Sequence, residues 1–562
     1  MILTDEKTID AYVGDGSWGR NTLESVFRRT AQSRPDDLAL IDDPDLDQFS
    51  GFKPQCLTNA EVDKRIDNVA AFLVSVGLKP DTVIAMQMPP SAMAVITFLA
   101  ILRAGCIVSP LPLTWREADI SEALSAIGAK AIVVGDTLEN CTIGESMRNV
   151  AADVFGIQFV FGFGSRVPDG LIDLSAYLDG DEVEDFVPPK RKDAAADHIA
   201  TITWTADQLN ARIPVPRSHN HWIATGMMQL LESRLDASTN LMSPFQLSGI
   251  CGFGAAVVPW LLAGCRLHLH HYTNDKRLCE NVTARETSHL LLPGSLGRSF
   301  VQKYVESDNS TLKSIGLIWP RNHTADIARF DTPEDLSIVD ITSIREFALY
   351  ARTRSADAGE PGTIPLGKIR SPHGAEHGPV LLETHLRSMQ EGVDSFGIKS
   401  MMGGELCVRG PMVSQQSYPR LTDTLKNTKL IHLDKNGFVR TEIGGKLAAE
   451  DHSSFVPIGD MGDVFALGGI TIHAEELDSL YQGFDGASDA AAYVQSDPVL
   501  GNRLCVAIVS SGKSVNLTND LKHYLNSVNA ARHKVPHEIV ETTGIPRGPG
   551  GAVRRTQLPH PT

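Results

Sequence analysis

From Asn21 to Trp319 the apolar positions recur in two alternating rhythms. Helical spacing puts Leu23, Val26, Phe27 and Ala31 on one side of Asn21–Ser33, with Thr22 placed to cap it. A second helix is predicted over Asn59–Val76, with Val62, Ile66, Val69, Ala70 and Leu73 in register and Gly77 just past its end. Short apolar runs predict strands at Val83–Met88, Gly105–Pro110 and Ala131–Val134. Helices Ala92–Arg103 and Ala118–Ile127 fall between them. Strands alternating with helices at this pace predict a parallel sheet covered by helices.

The same grammar returns in the strands Ile199–Trp204, Cys265–Leu269, Ser288–Leu292 and Ile315–Trp319, and in the helix Trp222–Leu231. Past about Gly362 the texture changes to short strands and turns, including Gly404–Pro411 and Gly437–Arg440. The last hundred or so residues resume α/β alternation: strand Gly469–Ile472, helix Ala474–Tyr481, strands Ala490–Val494 and Leu504–Val509, helix Leu517–Val528. The expectation is an α/β protein with a large multi-sheet domain over 1–457, β-rich from about 362, and a small C-terminal α/β domain over 458–562.

Composition narrows the function classes. The 562 residues carry a formal charge of −17. A general nucleic-acid or anionic-membrane binder needs a positive face, so neither partner is expected. The longest apolar segment, Ala92–Pro112, contains Arg103 and Gly105 and divides into a helix and a strand, which suits an interior position. The start, MILTDEKTIDAYVG, has no basic stretch followed by an apolar one, and the eight cysteines form no CxxC pair. Both suit a cytoplasmic protein with free thiols. Among the histidines, His268 and His270 share a strand face beside His271, with His219 and His221 elsewhere. No third or fourth ligand of a zinc site is apparent, so no metal is expected. No Gly-x-Ser-x-Gly elbow supports hydrolysis.

Several stretches resemble the superfamily of adenylate-forming enzymes, which includes acyl-CoA synthetases, aryl-acid activating enzymes and adenylation domains. They are TLESVFRRTAQSRPDDLAL (22–40), GLKPDTVIAMQMPPSAMAVITFLAILRAGCIVSPL (77–111), GELCVRGP (404–411), GFVRT (437–441), GGITIHAEELDSL (468–480) and IPRGPGGAVRRTQL (545–558), in the family's order. AYVGDGSWGRNTL leans toward the aryl-acid and medium-chain acid branches. The resemblance implies a small C-terminal domain that is mobile and two half-reactions: a carboxylate attacks the α-phosphorus of ATP, then a thiol displaces AMP.

Laid residue by residue, the resemblance weakens at the nucleotide. The phosphate loop corresponds to Thr205–Val215, where Thr205 matches, Asp207 and Asn210 replace glycines, Ile213 replaces the lysine and Pro214 its following glycine. Side chains at glycine positions restrict a backbone cradle, Asp207 adds like charge and Pro214 removes a donor. Ser218 and His219 downstream still match. In TSIRE (342–346) Glu346 keeps the carboxylate that helps hold magnesium in the family, but it stands beside Arg345, and a lone carboxylate next to an arginine is more often half of a salt bridge than a metal ligand. The purine shelf reads IWPR (318–321). The ribose-binding Thr-Gly-Asp becomes Thr441, Glu442 and Ile443, and isoleucine accepts no hydrogen bond. The hinge Gly-Arg becomes Gly459-Asp460, and Ala552 stands at the catalytic lysine of the tail, near Arg554 and Arg555.

SPFQLSGICGFG (243–254) matches the acid-binding segment. Phe245, Leu247, Ile250 and Phe253 can line an apolar cleft, with Gln246, Ser248 and Gly249 beside them; the same spacing also suits a core helix with glycine packing. The expectation is a divergent homologue deficient in conventional ATP-dependent adenylation. It would bind a small carboxylate or acyl thioester, or serve an acyl-carrier or other biosynthetic protein, and a homo-oligomer is compatible with either. The alternatives are an active acid-thiol ligase, whose cofactors would be Mg-ATP and CoA, and a purely structural interaction protein.

Overall fold

The structure is a computed structural model that describes residues 1–138, 141–164, 167–178, 186–206, 212–306, 311–319, 330–354, 362–372, 376–388, 403–418, 431–448, 453–460, 464–467, 470–514, 516–547 and 553–559. It is an α/β fold with a large multi-stranded N-terminal region and a smaller C-terminal α/β region.

Two large sheets organise the N-terminal region. One has seven strands, ordered Arg212–Ser218, Ile199–Ala206, Ile107–Pro110, Val83–Gln87, Ala131–Gly135, Phe159–Phe163 and Ile172–Asp173. The other has eight, ordered Ala348–Thr353, Ser337–Ile344, Ser314–Trp319, His289–Pro293, Asn240–Ser243, Arg266–Leu269, Leu38–Asp42 and Cys56–Thr58. Pairing is parallel through the middle of both and antiparallel at the Arg212–Ser218 and Ala348–Thr353 edges. Every residue of the helix Ala92–Arg103 is buried, as its unbroken apolar run requires. Phe98 on that helix stacks against Phe253 with ring centroids 4.2 Å apart. Arg103, in its last turn, is held by Glu24, Asp63 and Asp67, which neutralises a fully buried guanidinium.

Helix starts follow their caps. Thr22 and Thr58 close capping boxes over Leu23–Ser33 and Asn59–Ser75. The helix expected from Trp222 begins at His219, because Ser218 accepts from the His221 N–H and caps it three residues earlier.

A six-stranded antiparallel sheet follows, ordered Ile364–Pro365, Ser454–Asp460, Val439–Leu447, Gly403–Arg409, Leu382–Ser388 and Gly367–Ile369. The C-terminal region has the hairpin Val464–Leu467 with Ile470–His473, and a sheet of Ala487–Asp497, Gly501–Ser510 and Glu538–Glu541. It has its own core of Leu477, Tyr481, Ala491, Val506, Leu521 and Leu525. Arg555 of its tail pairs with Asp478 at 2.8 Å. Among the described residues no helix is long and apolar enough to cross a membrane.

Candidate functional site

The described residues of the stretch expected to be a phosphate loop, 205–206 and 212–215, lie in two paired strands. Strand Ile199–Ala206 pairs antiparallel with Arg212–Ser218, with Trp204 opposite Pro214 and Thr205 opposite Ile213. Pro214 and Pro216 are tolerated because Arg212–Ser218 is the sheet's edge strand. Ile213, expected at the lysine position, is 5 % exposed and belongs to the hydrophobic core. Thr205 is half-buried near the end of its strand, while Asp207 and Asn210 lie outside the described residues, as does Ala552.

Alternation along the edge strand puts Ile213, Val215 and Arg217 on one face, and all three are buried. Arg217 therefore carries a guanidinium into the interior. It donates to Thr203 Oγ1 at 2.8 Å and lies over the Trp222 ring at 4.6 Å. Its Nη1 stands 3.6 Å from Glu346 Oε2. Burial lowers the Arg217 pKa to about 10, so it stays charged at neutral pH. Glu346 sits in the turn between Ser337–Ile344 and Ala348–Thr353, and burial pushes its pKa up against the pull of Arg217. Both its oxygens face the Ile250 N–H, at 3.0 and 3.1 Å.

Thus Glu346 is half of a salt bridge, and the arginine is Arg217. The neighbouring Arg345 turns the other way and meets Glu442, with Nη2 3.6 Å from Oε2. Arg345 and Glu442 both adopt left-handed backbone, with φ of 48° and 58°, a conformation costly for side chains of this size. Glu442 donates its N–H to Glu405 at 3.0 Å. Thr441 donates its hydroxyl to the Leu406 carbonyl at 2.6 Å, and Ile443 is fully buried. Asp460 pairs with Ile443 across the sheet through its backbone.

The segment expected to bind the acid forms a tight turn running into a π-helix, Ile250–Val257, and then an α-helix, Val258–Ala263. Phe245 is half-buried, and the exposed Gln246 accepts from the Leu113 N–H at 3.2 Å. Ser248 and Gly249 are half-buried. A Cβ at Gly249 would lie 2.5 Å from Glu346 Oε1, and one at Gly252 would lie 1.8 Å from the Gln246 carbonyl oxygen, so both glycines are needed for close approach. Phe253 departs from the expected lining: it is 1 % exposed, between Phe98 and Trp222 in the core. A cavity of about 170 Å³ lies elsewhere, lined by Thr22, Arg103, Cys106, Arg191 and His219 among others.

Trp319 turns inward. Its indole donates to Asp340 at 2.7 Å, and its ring occupies the space a Cβ on Gly294 would need. Pro320 and Arg321 lie outside the described residues. Of the histidines singled out, His271 stacks on Phe49 at 3.9 Å and His270 meets the Asp43 carboxylate at 2.7 Å. Nδ1 of His219 accepts from the Leu23 N–H and that of His221 from the Ser218 N–H, both at 3.2 Å.

Arg217 escaped the sequence reading, although strand alternation could have found it. A charged residue two and four places beyond Val215 and Ile213 shares their apolar face and requires a buried partner.

The AMP-binding enzyme family model matches residues 27–319, more than half of the chain. The chain belongs to that family. Similar proteins include the salicyl-AMP ligase / salicyl-S-ArCP synthetase of Mycobacterium tuberculosis, 24% identical over 98% of this chain and 92% of the relative. The medium-chain fatty-acid–CoA ligase of Escherichia coli is 21% identical over 99% of this chain and 93% of its own. Among solved structures, the amide bond synthetase McbA from Marinactinospora thermotolerans aligns with a TM-score of 0.72 at 15% identity, covering 95% of this chain and 98% of that one. Apo MbtA from Mycobacterium smegmatis aligns at 0.64 with 18% identity, covering 99% and 98%. This AMP-binding family chain is therefore a distant homologue of acyl- and aryl-CoA ligases over nearly its whole length.

Proposed function

We propose that this AMP-binding family member binds a small carboxylate or acyl thioester and is deficient in conventional ATP-dependent adenylation. The observation that carries the reading is Ile213: a buried apolar side chain in a paired strand stands where the resemblance expects the phosphate-loop lysine. It brings no charge to a phosphate, and Pro214 beside it has no N–H to donate. Neither side chain supplies a donor to a triphosphate. An acyl thioester carries its own activated carbonyl, so handling one does not require a phosphate loop. One similar protein is named for a medium-chain fatty acid and another for salicyl-AMP and a salicyl-S-ArCP product, which supports a small acid and an acyl-carrier partner. Phe245, Gln246, Ser248 and Gly249 are the segment we assign to the acyl group.

Calorimetry with Mg-ATP, paired with pyrophosphate exchange over a panel of acids, tests this. Little or no ATP binding and no exchange are expected. Micromolar binding with acid-dependent exchange overturns the proposal and makes the chain an acid-thiol ligase. Free acids and their CoA thioesters are then screened by thermal shift, with hits repeated on Gln246→Ala and Phe245→Ala. Saturable hits that neither substitution alters remove the assigned segment.

A further inference from the structure

The resemblance gives Glu346 a magnesium ion, and the residues around it do not fit one. Magnesium takes oxygen ligands in near-octahedral array, with carboxylates among them. Here both Glu346 oxygens face one backbone N–H, that of Ile250. The positive charge opposite is the fully buried Arg217, whose ion-pair partner among the described residues is Glu346. The Thr203 hydroxyl also hydrogen-bonds the carboxylate, and burial, with the negative charge of Glu346 adding to it, pushes the Cys251 thiol up to about 12.

We propose that Arg217 is a built-in cation that takes the place of a divalent metal at Glu346, so that this site works without one. The pair joins three parts of the fold. Arg217 belongs to the edge of the seven-stranded sheet, Glu346 to the end of the eight-stranded sheet, and Ile250 to the start of the π-helix beyond Gly249. A guanidinium anchored by Thr203 and Trp222 supplies the charge from a fixed position, which a metal would supply only on binding. Arg217 and Glu346 are thus positioning residues for the Gly249–Ile250 turn. This assignment of the turn to the site rests on the function proposed above; the replacement of the metal does not.

The test uses the full chain and Mn²⁺ alone, followed by electron paramagnetic resonance. The parent and Glu346→Gln are expected to give the same Mn²⁺ titration, and chelation by EDTA is expected to leave the parent's melting midpoint unchanged. Arg217→Met and Glu346→Gln each lower that midpoint, and the double variant loses less than the sum of the two losses. Arg217→Lys restores part of what Arg217→Met loses, and it carries the comparison where Arg217→Met does not fold. Mn²⁺ bound by the parent and released by Glu346→Gln overturns the proposal, as do additive midpoint losses. Acid-dependent pyrophosphate exchange that persists in Glu346→Gln defeats the proposed function and leaves this inference standing. Glu346-dependent Mn²⁺ binding without exchange does the reverse.

Discussion

Acidification is expected to unfold this chain through His219 and His221, at the first turn of the helix His219–Glu232. Burial lowers both imidazoles from 6.5 to about 3, helped by nearby positive charge: Arg191 for His219 and Arg217 for His221. The hydrogen bonds agree, since each Nδ1 accepts a backbone N–H and is therefore unprotonated in the fold. Both folded-state pKa values lie below the unfolded value, so the unfolded chain binds more protons between about pH 6.5 and 3. Stability from these groups is complete above that window and falls as pH drops through it. At about pH 5 each histidine costs about 2 kcal/mol, or about 4 kcal/mol for the pair, a large part of an ordinary folding free energy of about 5–15 kcal/mol. The assay is denaturant unfolding at about pH 7 and 5, for the parent and for His219→Asn/His221→Asn, in which an amide oxygen keeps an acceptor that does not titrate. The double variant should lose about 4 kcal/mol less than the parent on acidification. An equal loss in both, or His219 and His221 ring-proton resonances of the folded parent titrating near 6.5, refutes the reasoning.

Three substitutions probe the site's construction. Ile213→Lys, which installs the lysine the resemblance expects there, should cost roughly 3–5 kcal/mol by leaving an unpaired charge in the core, without gain of ATP affinity; denaturant unfolding and calorimetry measure both. Gly252→Ala meets the Gln246 carbonyl oxygen at 1.8 Å, so the turn must shift and the melting midpoint should fall by an amount equivalent to about 1–3 kcal/mol. Trp319→Ala should cost about 3–5 kcal/mol, because it opens a cavity beside Gly294 and leaves Asp340 without the indole donor; an unchanged midpoint would contradict the packing described.

Local order was largely legible from the chain. The periodicity of Leu23–Ser33, Asn59–Ser75 and Ala92–Arg103, with caps at Thr22 and Thr58, marks helices because each signal lies within a few residues of the structure it specifies. The family was legible too, since its motifs keep their order across most of the chain. What the site's charged residues do was not. Arg345 adjoins Glu346 in sequence, yet it pairs with Glu442, while Glu346 pairs with Arg217. Left-handed backbone at Arg345 and the turn at Glu346 send neighbouring side chains in different directions. Phe253 likewise falls at a spacing that suits a cleft or a core, and Phe98 and Trp222 decide for the core. Sequence by itself determines propensity, periodicity and the face on which a residue stands, because these depend on near neighbours. Which charge lies opposite a buried charge depends on how two sheets and a π-helix are brought together, and only the tertiary structure decides that.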